Sequence, residues 1–137
     1  ELEKIPNNYL NNSYRDGGWP IYKLIHHLAD SHIHAYIRCK YAYISDKITI
    51  MDYVPDEWTN TKDCSFENLN YSLIIIKGIH KRWVLFFSKL KNKDFKKVYF
   101  YKERDKYYSL YNVLGLYAWH CKHHLKHIEN FRKNIKN

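Results

Sequence analysis

Three stretches of this 137-residue chain repeat apolar residues at helical spacing, and each is long enough for a full helix of a bundle. The cleanest seam is Leu69, Leu73, Ile76, His80, Trp83, Phe87 and Leu90, in unbroken 4-3-4-3 order, which predicts a helix over Phe66 to Leu90. An earlier helix is expected from Trp19-Pro20 to about Ile44, because proline suits a first helical turn and Gly17-Gly18 lets the chain bend sharply before it. Its stripe is Ile21, Ile25, Leu28, His32, Ala35 and Cys39, flanked by Leu24, His27 and Ser31. The last helix runs from Ser109, a natural cap, to Lys133. Its seam is Leu110, Val113, Tyr117, His120, His124, Phe131 and Ile135, with Ile128 or His127 at the step before Phe131. Three long helices imply an all-α bundle in a single domain spanning residues 1–137.

Between the helices the pattern changes. Ser45 to Ser65 holds Pro55 and the acids Asp46, Asp52, Asp56 and Asp63, which reads as a long ordered loop with a helical turn near Trp58. Between Asp94 and Tyr108, Val98-Tyr99-Phe100-Tyr101 and Tyr107-Tyr108 flank a charged turn, the pattern of a small hairpin.

No apolar run approaches the roughly 20 residues of a membrane span, and no charged-then-apolar leader opens the sequence. Cys39, Cys64 and Cys121 are odd in number and widely spaced, which excludes a disulfide framework and a zinc knuckle and fits a reducing cytoplasm. The formal charge of +9 raises the possibility of phosphate binding. The one dense basic cluster is Lys89, Lys91, Lys93, Lys96 and Lys97; Arg132, Lys133 and Lys136 lie in the tail. Both read as solvated faces, so specific nucleic-acid binding is not expected.

Histidines occupy core positions. His120 and His124, four residues apart, lie roughly 6 Å apart on one helical face and can aim at a common point. One divalent cation would satisfy both rings as neutral ligands; tyrosine hydroxyls or water would satisfy them equally well. His80 reads as a hydrogen-bonded structural histidine. His123 and His127 repeat the spacing on a face turned away from the first pair, and Cys121, which its position beside His120 turns away from the seam, reads as a small packing residue. Spacing leaves open which of His26, His27, His32 and His34 faces the core.

A family resemblance bears on these histidines. Tyr14-Arg15-Asp16-Gly17-Gly18-Trp19, then His26-His27-Leu28-Ala29-Asp30-Ser31-His32, resembles the signature of YfiT-type metal-dependent hydrolases in the DinB-like superfamily. His80-Lys81-Arg82-Trp83-Val84 resembles that family's third-helix motif, and Leu116-Tyr117-Ala118-Trp119-His120 through His123-His124-Leu125-Lys126-His127-Ile128 its last. The resemblance implies a four-helix bundle with one divalent metal per chain, zinc or nickel. The metal would be held by one histidine of the second helix and the HxxxH pair of the fourth: His27, His120 and His124. Three histidines with an open fourth position are a catalytic rather than a structural arrangement.

The resemblance therefore implies a hydrolase that activates water on a small substrate. Relatives in the superfamily also include thiol-dependent transferases that use the same ligands. A third class is a non-enzymatic basic helical binding protein. Asp30 and Ser31 follow His27 and are candidates for orienting a ligand, although a surface acid and a packing residue explain them as well. Only about thirteen residues precede the Tyr14-Arg15 motif, so the first helix of the family is largely missing here. Either the chain is a truncated version of a longer protein, or a partner subunit covers the apolar groove that three helices alone would expose, which makes a homodimer a reasonable expectation.

Overall fold

In the computed structural model, which describes residues 1–45 and 47–135, three long helices carry the chain: α1 (Ile21–Ile44), α3 (Leu69–Ser88) and α4 (Leu110–Asn134). A single turn, α2 (Pro55–Trp58), lies in the first connection, where proline starts the helix and Asp56 and Glu57 favour its first turn. Asp46 and Lys136, named above, lie outside the described residues.

The termini of the helices differ slightly from the sequence expectation. Pro20 is the cap residue of α1 rather than its first turn, and Phe66–Asn68 form a 3-10 turn ahead of α3. Among the described residues no α-helix precedes α1, and 3-10 turns at Leu2–Lys4 and Asn7–Tyr9 occupy that segment. Ile5 and Leu10 anchor it in the core, and Glu3 pairs with Lys77 and Glu1 with Arg132.

The hairpin is present as β2 (Val98–Tyr101) and β3 (Lys106–Ser109), antiparallel with Val98 opposite Ser109. Asp105 closes it in the left-handed region at φ 46°. The long loop adds a third strand that periodicity did not predict, β1 (Ile48–Ile50), which pairs parallel to β2. Three residues are too few to show an alternating pattern, and β1 exists because β2 offers it an edge. Tyr99, Tyr101 and Ile50 then pack on the second half of α1.

Two apolar clusters hold the helices together. At one end Ile21, Leu24 and Ile25 of α1 meet Leu69 of α3 and Ile128 and Phe131 of α4. At the other, Ala35, Cys39 and Ala42 of α1 meet Trp83 of α3 and Leu110 and Val113 of α4. The order of these residues shows that α1 and α3 run parallel and α4 runs against both. Because α1 is covered on several sides, 14 of its residues are buried, against four on α4.

The outer faces of α3 and α4 are apolar and exposed, notably Tyr71, Ile74, Val84 and Leu85 on α3 and Tyr111 and Trp119 on α4. The start of α4 is fixed by a capping box. Asn112 N–H donates to Ser109 Oγ at 3.1 Å, and Ser109 N–H donates to Asn112 Oδ1 at 3.2 Å. Ser109→Ala is therefore expected to cost about 1 kcal/mol, read as a lower urea midpoint with unchanged slope.

Candidate metal centre

Between the two apolar clusters every long helix switches from leucine and isoleucine to histidine: His27 and His32 on α1, His80 on α3, His120 and His124 on α4. The structure brings His27, His120 and His124 together, with one ring nitrogen of each within 4.8 Å of the others. The Nε2 atoms of His120 and His124 are 3.0 Å apart, a direct result of their placement four residues apart on α4. That is close to the roughly 3.3 Å edge of a tetrahedron with metal–nitrogen bonds of about 2.0–2.1 Å. His27 rests edge-on to both rings, with centroids 5.7 and 5.6 Å away.

Each of these rings is steered by a neighbour or by burial. His27 Nδ1 hydrogen-bonds Tyr53 Oη at 3.0 Å, which leaves Nε2 free to face the other two histidines. Trp19 packs edge-on against His27 at 5.0 Å and is itself held by an Nε1–H bond to Asp56 Oδ1 at 2.9 Å. The Gly17-Gly18 bend permits this placement. Gly17 has φ +66°, and a Cβ on Gly18 would stand 2.7 Å from Arg15 Cγ. His120 Nδ1 meets His32 Nε2 at 3.3 Å, whereas His124 Nδ1 is buried with no hydrogen-bond partner among the described residues.

Burial, with a smaller effect of neighbouring histidines, lowers the pKa of His27 and of His120 to about 4, and that of His124 to about 3. All three are neutral at pH 7, as metal ligation requires. Two lone pairs or one shared proton must occupy the 3.0 Å gap between the His120 and His124 Nε2 atoms, and a cation accepts both. The donor set therefore fits a divalent ion.

A cavity of about 360 Å³ opens beside His27 and His120, with Arg38, Tyr53, Tyr101 and Tyr117 in its wall. Burial raises the Tyr53 hydroxyl well above its usual pKa, so it remains protonated. Ser31 reaches Tyr117 Oη at 3.4 Å, and Asp30, half-buried, has its pKa raised by desolvation. Neither makes a hydrogen bond to the triad.

The other histidines are placed as follows. His26 bridges Ser72 Oγ at 2.8 Å and the Ser65 carbonyl at 2.9 Å. His34 stacks on Tyr53, His123 on Trp119 and His127 on Tyr14. His80 is hydrogen-bonded, as its core position implied, and its partner is His32 Nδ1 at 2.6 Å. Cys121 corrects the sequence reading. It faces this pair, with Sγ 4.0 Å from His32 Nε2, because the 100° step from His120 turns it toward α3 rather than away from the core. Tyr53 went unrecognised because it sits in a loop where no periodicity marks it.

A bundle of three long helices with a histidine triad at mid-height defines a class of helical proteins whose chemistry sits between the helices. Within that class, the chain belongs to the DinB superfamily, which it matches over residues 1–128. It is 33% identical over 134 residues to the Bacillus subtilis protein "Putative metal-dependent hydrolase YfiT", covering 98% of this chain and 75% of the relative. A protein of the same description from Oceanobacillus iheyensis is 39% identical over 129 residues, covering 94% and 74%. The solved structure of Bacillus subtilis YfiT, described as "a probable metal-dependent hydrolase with an unusual four-helix bundle topology", superposes with a TM-score of 0.92 over 98% of this chain and 77% of that one.

Proposed function

We propose that this chain is a metal-dependent hydrolase acting on a small substrate, with His27, His120 and His124 holding one divalent ion, zinc or nickel. The observation that carries this reading is the convergence of three neutral ring nitrogens within 4.8 Å. An ion held by these three neutral histidines would supply Lewis acidity that makes water nucleophilic near neutral pH. The protein's part is positioning. Tyr53 holds the orientation of the His27 ring, and Trp19 shields one side of it. The 360 Å³ cavity admits a small molecule next to the triad, with Arg38 and the tyrosine hydroxyls as polar contacts.

The test is turnover of ester, amide and phosphoester panels by zinc- and nickel-loaded protein. The reading fails if the loaded protein hydrolyses none of them and instead transfers a low-molecular-weight thiol.

The chain is read as one domain, since both apolar clusters draw on all three long helices. Among the described residues, no helix is long and apolar enough to cross a membrane. Free Cys39, Cys64 and Cys121 support a reducing, cytoplasmic setting. The exposed apolar faces of α3 and α4 support a homodimer. Sedimentation equilibrium is expected to give twice the chain mass; a monomer at high concentration sinks the dimer.

A further inference from the structure

The triad does not end at its three rings. His120 Nδ1 lies 3.3 Å from His32 Nε2, and His32 Nδ1 lies 2.6 Å from His80 Nε2, so three imidazoles from α4, α1 and α3 form one line. We infer that His32 and His80 are positioning residues for the metal centre, a hydrogen-bonded histidine chain that accepts the outer proton of His120 and holds the orientation of its ring. This inference rests on the metal-site reading above.

The polarity of the chain follows from one bond. With His120 Nε2 committed to the ion, the proton of the neutral ring must sit on Nδ1. That N–H donates to His32 Nε2, which therefore carries a lone pair. The His32 proton is then on Nδ1 and donates to His80 Nε2. The remaining His80 proton, on Nδ1, completes the line at a half-buried ring. Every link has one donor and one acceptor. His32 is 1% exposed and stacks against the His80 ring with centroids 4.8 Å apart, so it has little freedom to turn. Histidine ligands are usually oriented by a carboxylate or a carbonyl on the outer nitrogen; here a second histidine fills that role and a third orients the second.

His32, His80 and Cys121 also bring possible ligand atoms within 4.8 Å of one another, which raises the alternative of a second metal site. The 2.6 Å separation of His32 Nδ1 and His80 Nε2 is a hydrogen-bond distance, well under the roughly 3.3 Å of two nitrogens on one tetrahedral ion. Ligation through His32 Nδ1 would also turn a His32 Nε2–H against the His120 Nδ1–H.

Long-range proton–nitrogen correlation spectra of the zinc-loaded chain read the tautomers directly. The expected pattern is protonation at Nδ1 on His120, His32 and His80; a His32 ring protonated at Nε2 overturns the proposal. Because His32 is fully buried, the variants are made at His80. His80→Ala should raise the zinc dissociation constant about 10-fold, and His80→Gln, whose carbonyl can accept from His32, should recover most of that. Unchanged affinity in His80→Ala overturns the chain, as does a second equivalent of zinc that Cys121→Ser removes. The two failures are distinct. If the chain alone is wrong, zinc is stoichiometric, lost in His27→Ala and untouched by His80→Ala. If the wild type binds no zinc, the metal reading falls and takes the chain with it.

Discussion

His120→Ala is expected to abolish stoichiometric zinc or nickel binding, with affinity falling more than about 100-fold, the upper end of what partners outside the ligand shell are worth. His27→Ala and His124→Ala should behave the same way, since two nitrogens cannot replace three converging ones. Elemental analysis of purified variants reads the stoichiometry. Thermal melts with and without added metal separate lost ligation from lost folding, because an ion that binds only the native state raises Tm in wild type and not in the variants. Retention of a full equivalent of metal by His120→Ala would sink the three-histidine site.

Acid should unfold the metal-free protein well before its carboxylates titrate. The pKa values of His27 and His32 are lowered from 6.5 to about 4 and about 3, chiefly by burial, so the unfolded chain binds protons first as pH falls. Stability is fully present above about pH 6.5 and declines toward the folded values. Counting only these two rings, and halving for solvent screening, the loss from pH 7.5 to pH 5 is about 2 kcal/mol. That is roughly 5–10 °C in Tm. A melting temperature of chelated protein that is flat over this range would show that the rings are not held neutral by burial.

Much of this arrangement was legible because helical periodicity is a local property. The seam Leu69 to Phe87 and the Ser109 cap needed only neighbours three and four residues away, and both stand in the structure, although the helix stops at Ser88, short of Leu90. Proximity of His120 to His124 followed from the same rule. Strand β1 and Tyr53 were not legible, because each is placed by a partner far away in sequence, β2 for one and His27 for the other. Cys121 was misread for a related reason. A helical wheel gives a residue's direction relative to its own helix and not which second helix stands there, and α3 stands beside Cys121.

The histidine layer between two apolar clusters also determines how the helices can slide. A slip of α4 by one turn along α1, about 5.4 Å, would in one direction carry His124 toward Leu24 and Ile25 and in the other set Ile128 among the imidazoles. Each buried ring left without a partner would cost about 1–3 kcal/mol. Leucine-rich helices alone would tolerate several alignments with nearly equal burial. A polar stratum at a single height makes only one of them acceptable, so the residues assigned here to chemistry also act as the notch that sets the bundle's alignment.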